Sequence, residues 1–503
     1  MKQNGSRVVV IGSGFGGLSA AAWLSKAGYQ VTVLEKNTWV GGRARVLEEE
    51  GFRFDMGPSW YWMPEEHDRW FRELGANRQD YYQMLRVDPS YRVFFGDVVP
   101  GETRNVVDVP ADREGAREVF ESFQPGGAAA LDRYLADCEN KYRISMKSFI
   151  YKNFYTLLDF INWTAIRFSP WLNLTQSYHR RIRKYFSHPF LQRMLEFPVV
   201  FLGSEARKTP AVYTLMNHID FNLGTWYPDG GFGRVVESMQ QVCEGLGAQF
   251  HFDHAVTAIQ VDQGTARSVA YRKSDGTEGT IEADIVVANA DYPWVEQNLL
   301  PEQYRSIPLR RWESAVLAPA VMNFYLGFDR PLDEFTHHTF FFDSDWEEHF
   351  DAVYTNPRWI DTPLFYLHVP SRTDPGCAPE GKEAMFLLVP IAPGLEDTPE
   401  RRQYYLDHAL QRMEERTGKP LRKHLIYQRS MSLDDFTRDY NAYKGNAFGL
   451  GQTLFQTAWF RPANRSKKVS NLYFAGQYTV PGTGTTMSMI SGEVVAQRVQ
   501  SGR

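Results

Sequence analysis

The sequence predicts an α/β fold whose central part is a Rossmann-like domain assembled from separate segments of the chain. Three observations predict it. The chain opens with an apolar run, a glycine-rich turn and a helix-forming stretch; it closes with a second unit of the same kind; and a strand-rich segment spans residues 249–291. Strand–turn–helix units of this kind build parallel sheets, whose strands read as apolar runs because both faces are buried. We therefore expect the three segments to meet in one sheet.

The first unit has the pattern of a dinucleotide-binding turn. Val8 to Ile11 predicts a buried strand and Leu18 to Lys26 predicts a helix. Between them, Gly12, Gly14 and Gly17 leave room for a pyrophosphate to approach the backbone. At the N-terminus of a helix, free N–H groups and the positive end of the dipole attract such an anion.

An acidic residue follows the second predicted strand. Val31 to Leu34 is apolar and ends in Glu35, with Lys36 next. A carboxylate at this position accepts hydrogen bonds from both hydroxyls of an adenosine ribose. Strand, spacing, helix and acid together predict a dinucleotide-binding βαβ unit.

Two further turns narrow the identity of the dinucleotide. The first contains Gly41, Gly42 and Arg43, and the second runs from Asp55 through Gly57 and Pro58 to Ser59. Glycines allow the backbone to approach a ligand closely, and an arginine can neutralise a phosphate. These turns resemble those of the FAD-dependent amine oxidase and carotenoid desaturase superfamily, in which both lie along one extended FAD.

The C-terminal unit predicts where the flavin ring lies. Asn471 to Gln477 reads as a short strand and a turn, and a helix is predicted from Met487 to Val499. A helix N-terminus aimed at the pyrimidine edge of a flavin stabilises the negative charge that appears there on reduction. The unit resembles the C-terminal signature of bacterial-type phytoene desaturases and their carotenoid desaturase relatives.

Two further details bear on this resemblance. The segment from Gly224 to Gly231 resembles the Trp-Tyr-Pro-x-Gly-Gly turn of the same family. Many related flavoproteins carry Gly-Asp at the last strand, where the Asp holds the ribityl chain, but this chain has Gly476 and Gln477. A glutamine can still form a hydrogen bond with a hydroxyl.

The resemblance implies a division of the chain and a set of cofactor contacts. Residues 1–80, 234–300 and 469–503 are expected to form the discontinuous FAD-binding domain, 81–233 a helical substrate subdomain facing a membrane, and 301–468 a mixed β-sheet domain that binds substrate. Val256 resembles the position whose backbone contacts adenine. The predicted cofactor-binding residues are Gly12, Ser13, Gly14, Phe15, Gly17, Glu35, Lys36, Gly42, Arg43, Gly57, Pro58, Ser59, Val256, Gly476, Gln477, Thr486 and Met487.

Composition excludes several classes of protein. The net charge of −5 argues against binding to nucleic acid, and three cysteines without a Cys-x-x-Cys pair predict neither disulfides nor a metal site. His337 and His338 are expected to be packing or surface residues, and the acidic residues from Asp343 to Asp351 a solvated loop.

One segment suggests contact with a membrane. Neither a signal peptide nor a membrane-spanning stretch is expected. From Lys141 to Arg193, however, ten cations alternate with aromatic residues between Phe149 and Trp171, and Asp159 is the one acidic residue. This mixture is typical of an interfacial segment on anionic lipid. We expect a cytoplasmic protein, peripheral on the inner face of the membrane.

The function implied by the resemblance is FAD-dependent desaturation of a carotenoid precursor, with phytoene favoured. Its substrate would be an apolar polyene, with quinone or oxygen as the electron acceptor. The alternatives are an amine or porphyrinogen oxidase, a desaturase or isomerase of another isoprenoid, and a non-catalytic scaffold. No catalytic acid or base is assigned, because hydride loss from such a substrate asks little of side chains beyond positioning.

Overall fold

The computed structural model describes residues 5–96, 99, 102–153, 173 and 175–502. Its β-strands, numbered along the chain, are β1 (Arg7–Ile11), β2 (Gln30–Leu34), β3 (Val46–Glu49), β4 (Phe52–Asp55), β5 (Met84–Arg86), β6 (Tyr91–Phe95), β7 (Val106–Val109), β8 (Trp226–Pro228), β9 (Gln249–His251), β10 (Ala255–Asp262), β11 (Thr265–Arg272), β12 (Glu278–Glu282), β13 (Ile285–Ala288), β14 (Ala320–Phe328), β15 (His338–Phe342), β16 (Phe365–His368), β17 (Glu383–Ile391), β18 (Leu425–Met431) and β19 (Leu472–Phe474).

The α-helices of the described residues are numbered in the same way. They are α1 (Phe15–Lys26), α2 (Pro64–Leu74), α3 (Arg113–Phe123), α4 (Gly127–Ser145), α5 (Tyr178–Ile182), α6 (Pro189–Glu196), α7 (Leu215–His218), α8 (Gly231–Gly245), α9 (Tyr292–Trp294), α10 (Leu309–Glu313), α11 (Trp346–Tyr354), α12 (Pro399–Thr417), α13 (Leu433–Tyr440) and α14 (Thr485–Ser501).

The first sheet joins distant parts of the chain. Its five strands lie in the order β19-β13-β1-β2-β9, and every pair is parallel. The central strand β1 is buried from Val8 to Ile11, as a parallel strand covered on both faces must be. The predicted Rossmann-like unit is confirmed, and segments from the start, middle and end of the chain share it.

Helices cover one face of this sheet. Leu18 of α1, Val235 of α8 and Val495 of α14 belong to one buried cluster with the strands. On the opposite face, the antiparallel sheet β10-β11-β12 contributes Ile259 and Val269 to a second cluster. The two layers fix the glycine turn after β1 at the carboxyl edge of the sheet.

The second large sheet is mixed, as expected. Its order is β18-β14-β17-β16-β15-β6-β7, and only β15 and β6 run parallel. Every residue of β14 is buried. Strands β6 and β7 come from the segment predicted to be a helical subdomain, so that segment is not wholly helical.

Helices α3 to α7 pack beside this sheet and share its core. Tyr134 of α4 and Leu195 of α6 lie in the same buried cluster as Tyr325 of β14. The aromatic residues predicted to meet lipid between positions 154 and 171 lie outside the described residues. In the part of the chain that the structure describes, no helix combines the length and apolar character needed to cross a bilayer.

The acidic stretch from Asp343 to Asp351 is not a solvated loop, and that prediction is wrong. Asp345 caps helix α11, whose first turn contains two of the other acidic residues. The side chain of Asp343 is 4% exposed and pairs with Arg412 and Arg416 of α12. Its charge is therefore neutralised in the interior.

Candidate active site: a nucleotide cradle joined to an aromatic chamber

One cavity of about 760 Å³ contains most of the predicted site. It runs from the glycine turn after β1 to an apolar chamber between the mixed sheet and helices α4 to α7. The two ends differ in chemistry, because charged residues line the first and aromatic residues line the second.

The glycine turn forms one wall of the first end. Gly12 has a φ of +95°, a conformation that L side chains rarely adopt, and Gly14 is the residue before α1. Both line the cavity. Gly17 does not: a Cβ there would lie 2.1 Å from the carbonyl oxygen of Gly12, so Gly17 serves close packing of helix on strand.

Glu35 lies across from this turn. Its Oε2 accepts hydrogen bonds from the backbone N and the Oγ of Ser13, each at 2.9 Å, and its Oε1 accepts from the backbone N of Asn37 at 3.0 Å. A second bond to Oε1 comes from Nδ2 of Asn37 at 3.1 Å, so all four acceptor sites of the carboxylate are used. Glu35 lines the cavity while Ser13 lies behind it, so the role of Ser13 is to orient the acid.

Two cations line this end and are used differently. The Nζ of Lys36 donates to the carbonyl oxygen of Arg438 at 2.6 Å and to Oδ1 of Asn441 at 3.2 Å, so it fastens the end of α13. The Nε of Arg43 is buried and has no hydrogen-bond partner among the described residues. A buried guanidinium N–H without a partner fits a phosphate oxygen.

The second turn lies against the first. A Cβ at Gly57 would come within 2.4 Å of the carbonyl oxygen of Arg43, so only glycine permits this approach. Pro58 and Ser59 follow along the cavity wall. The Oγ of Ser59 lies 2.9 Å from the hydroxyl of Tyr366, which belongs to the chamber.

The C-terminal motif closes the cavity where its two ends meet. Gly476, Gln477 and Met487 line it, and the amide Nε2 of Gln477 is buried without a partner in the described structure. Helix α14 begins after Gly484, with no side-chain cap on its first N–H groups. The hydroxyl of Thr486 donates to the carbonyl oxygen of Trp62 at 3.2 Å, so it anchors the helix to the turn before α2.

The aromatic chamber is the part that motifs did not reveal. Its rings pack edge to face or tilted, with centroids 5.3 Å apart for Trp60 and Trp62 and 4.7 Å for Phe197 and Phe340. The apolar residues that line it include Trp60, Trp62, Met146, Phe197, Phe201, Leu202, Met216, Ile219, Phe340, Phe342, Trp346, Phe350 and Leu364. Their spacing resembles that of any large core, and only the fold brings them to one space.

Most of the predicted residues meet at the cavity. Those that line it are Gly12, Gly14, Phe15, Glu35, Lys36, Gly42, Arg43, Gly57, Pro58, Ser59, Val256, Gly476, Gln477, Thr486 and Met487. Ser13 and Gly17 stand behind the wall. Sequence reasoning did not assign a role to Asn289 or Asp291, which also line it after β13; burial raises the pKa of Asp291 to about 6.

Comparison with known proteins decides the family. The model of the flavin-containing amine oxidoreductases matches residues 15–500, nearly the whole chain. The chain belongs to this family. It is an FAD-dependent oxidoreductase, and the predicted cofactor, FAD, is that of the family.

Two relatives of the chain are named as desaturases of carotenoids or their precursors. A carotenoid 3,4-desaturase of Haloarcula japonica is 41% identical over 495 residues, with 98% of each chain covered. A zeta-carotene-forming phytoene desaturase of Myxococcus xanthus is 32% identical, with 99% of this chain and 94% of the relative covered. An oxidoreductase structure from Methanosarcina mazei shares the fold, with a TM-score of 0.63 at 18% identity and coverage of 98% and 100%.

The cavity fits FAD. Arg43 and Gln477 offer buried, unpartnered donors that suit a phosphate oxygen and a ribityl hydroxyl, and Glu35 is held at the cavity wall by Ser13 and Asn37. The cysteines are Cys138, Cys243 and Cys377; all are buried, and none lines the cavity. Burial raises the pKa of each thiol, which disfavours the reactive thiolate.

Proposed function

We propose that this oxidoreductase introduces carbon–carbon double bonds into a carotenoid or a carotenoid precursor, with phytoene as the first substrate to test. The observation that carries the proposal is the chamber's lining. The Asp, Glu, Lys and Arg side chains that line the cavity, among the described residues, are Glu35, Lys36, Arg43, Asp291 and Asp439, all at the nucleotide end. An apolar chain can bury itself in such a chamber, whereas a cationic amine would lose its hydration without an anionic partner.

The names of the relatives support the same substrate class. One is described as a carotenoid 3,4-desaturase and another as a phytoene desaturase. A putrescine oxidase shares only the fold, at 14% identity. The sequence relationship therefore favours polyenes over amines.

The residues of this chain bind and orient, and the cofactor supplies the oxidation. When bound, FAD would supply an acceptor for a hydride, which removes two electrons from carbon. Trp60, Phe197 and Phe340 hold an extended apolar substrate and exclude water from it. Gln477 and the start of α14, which line the same cavity, would hold the cofactor.

We further propose that the protein takes its substrate from a membrane. Leu454, Phe455 and Phe460 are exposed apolar residues of one loop, and Phe455 is 74% exposed. Tyr213 lines the chamber and bonds to Gln452, which also lines it, and to Thr457 of the loop. An exposed apolar loop beside the chamber suits insertion into lipid.

The basic part of this surface is smaller than the sequence suggests. Lys141 is buried against Asp137, and Arg181 pairs with the same carboxylate, so neither faces lipid. Arg180 and Lys184 are exposed on and after α5. We infer that these two cations and the apolar loop meet an anionic membrane.

The decisive experiment is anaerobic flavin reduction. FAD-loaded protein is mixed with phytoene in anionic liposomes, the flavin absorbance is followed, and the pigments are separated by chromatography. We expect bleaching, a product with two hydrogens fewer, and recovery of colour with a quinone or oxygen. The comparison substrates are putrescine and protoporphyrinogen. Bleaching by either of these, with none by phytoene or another carotenoid, would refute the proposal.

A further inference from the structure

A network of buried polar side chains begins at the chamber wall. The hydroxyl of Tyr366, which lines the cavity, lies 2.9 Å from Oγ of Ser59 and 2.6 Å from Nδ1 of His338. The ring of Trp60 stacks on His338 with centroids 4.0 Å apart and so shields it from the chamber. Tyr366 is therefore the residue at which this network of polar side chains meets the chamber.

The network continues away from the chamber through two more histidines. Nε2 of His368 lies 3.1 Å from Nε2 of His337, and Nδ1 of His337 lies 2.6 Å from Oγ1 of Thr373. Thr373 is half-buried in the loop after β16. The six groups thus extend from the chamber toward the protein surface.

The part of the network that ends at His338 and the part that begins at His368 meet at one junction. His338 and His368 stand directly opposite each other in the antiparallel pair β15–β16, with ring centroids 5.5 Å apart. Nε2 of His338 and Nδ1 of His368 are both buried, and neither has a partner within the described structure. Each is the second nitrogen of its ring, because Nδ1 of His338 contacts Tyr366 and Nε2 of His368 contacts His337.

The hydrogen bonds of the network can all be donated in one direction, away from the chamber. Burial lowers the pKa of His337 to about 3 and also lowers the pKa values of His338 and His368 well below the usual range, so each neutral ring has one donor and one acceptor. If Tyr366 donates to Nδ1 of His338, the proton of that ring is on Nε2. His368 then donates from Nε2 to His337, which donates from Nδ1 to Thr373. The remaining donor is then on His338 and the remaining acceptor on His368; they are not hydrogen-bonded to each other in this structure, so a proton crosses the junction only when the two rings approach.

We propose that Tyr366, His338, His368, His337 and Thr373 form a relay that carries a proton out of the chamber, while Ser59 donates to the hydroxyl of Tyr366 and orients it. The inference rests on the proposed function. Conversion of a CH–CH unit to C=C breaks two C–H bonds: one hydrogen leaves with both electrons as hydride, for which bound FAD would be the acceptor, and the other leaves as a proton. The electron pair of the second C–H bond becomes the new π bond, and the proton goes to the oxygen of Tyr366.

The chamber needs such an exit. Its described lining holds no carboxylate, and its aromatic walls exclude bulk water. The carbocation left by hydride loss is a strong acid, so a neutral hydroxyl suffices as acceptor when its own proton moves on to His338. Because each member accepts one proton and releases another, no net charge stays in the interior, where it would be costly.

The first test reads the proton positions without turnover. Full-length, FAD-loaded protein carrying ¹⁵N-labelled histidine is examined by NMR at neutral pH, with His337→Gln, His338→Gln and His368→Gln for assignment. We expect neutral rings with the proton on Nε2 of His338 and His368 and on Nδ1 of His337. Tyr366→Phe should shift the His338 signals, whereas Tyr227→Phe, which removes a hydroxyl from a ring packed on His337 and His368, should not. A proton on Nδ1 of His338, or a charged ring in the trio, would overturn the relay.

The second test measures single-turnover flavin reduction by the carotenoid that wild type desaturates. We expect Tyr366→Phe and His338→Gln to slow reduction about 100-fold, within the usual contribution of a positioned acid or base. Tyr227→Phe should stay within about twofold of wild type, and FAD content should be unchanged in all three. Equal rates for Tyr366→Phe and wild type would overturn the relay. If wild type oxidises no carotenoid, the proposed function fails, and the NMR result alone decides whether the proton chain exists.

Discussion

Gly492 of α14 lies directly on the backbone of Gly16 in α1: a Cβ at position 492 would come within 2.3 Å of the Gly16 carbonyl oxygen. Two glycines far apart in the sequence thus bring the last helix onto the first. The same contact directs the start of both helices to one cavity, since Gly14 and Thr486 both line it. The positive ends of two helices therefore point to the same cavity, where both would attract the negative charge of a bound dinucleotide.

Gly14→Val should abolish FAD binding while leaving the protein folded. A Cβ at position 14 would lie 3.0 Å from Nδ2 of Asn289, and the branches of valine would fill space that the pyrophosphate needs. The purified variant is expected to be colourless, with a circular dichroism spectrum like that of wild type. Gly245→Ala is the control, because a Cβ at 245 meets no atom within 4 Å. A yellow Gly14→Val protein with full FAD content would contradict the assigned cradle.

Arg43→Met should weaken FAD binding about 10- to 100-fold. Methionine keeps much of the stem but removes the guanidinium, and a hydrogen bond to a charged group contributes about 1.5–3 kcal/mol. Fluorescence titration of the apoprotein with FAD gives the dissociation constant. Arg72→Met, at an exposed position of α2 outside the cavity, should leave the constant unchanged. Equal affinities of Arg43→Met and wild type would remove Arg43 from the phosphate site.

Charge reversal at Arg180 and Lys184 should release the protein from anionic liposomes. Each cation near a membrane surface contributes about 1 kcal/mol, so loss of two is expected to weaken binding about 30-fold or more. The matched control is Lys419→Glu with Lys423→Glu, which changes the charge equally at exposed sites around the end of α12. Phe455→Ser should weaken binding even in high salt, because apolar insertion is not screened. Sedimentation assays in which both double variants match wild type would rule out the proposed surface.

His349→Asn should make the protein less sensitive to acid. Burial lowers the pKa of His349 to about 3, whereas a histidine in the unfolded chain titrates near about 6.5. Acid between these values protonates the unfolded chain alone, so the stability conferred by the neutral ring is present above the unfolded pKa and lost as pH falls. The free energy of unfolding of wild type relative to the variant should decline by about 1.4 kcal/mol per pH unit below pH 6. Denaturant titrations from pH 7 to 4 measure this, and parallel curves for the two proteins would contradict it.

The nucleotide half of the site was predictable because its chemistry depends on backbone geometry. Gly12, Gly14 and Gly57 are needed wherever a phosphate or a neighbouring turn approaches the main chain, and such positions leave a fixed spacing in the sequence. The function of Ser13 was not predictable in this way, since its side chain turns behind Glu35 instead of facing the cavity.

The chamber and the relay leave no such trace. Trp60 and His338 are far apart in the sequence, and they stack only because the turn after β4 lies against the mixed sheet. Lys141 likewise reads as a surface cation until Asp137, one helical turn earlier, is seen to hold it inside. Contacts of this kind depend on which faces of distant elements meet, and local sequence patterns do not encode that.

The position of β19 and α14 in the cavity wall has a consequence for biosynthesis. Phe474 pairs with Ala288 at the sheet edge, and Thr486 and Met487 line the cavity. Before β19 and α14 have been synthesised, the Rossmann strands β1, β2, β9 and β13 can already pair. The nucleotide cradle then still lacks one wall. We therefore expect FAD to bind only after α14 has packed onto α1 and completed the cavity wall.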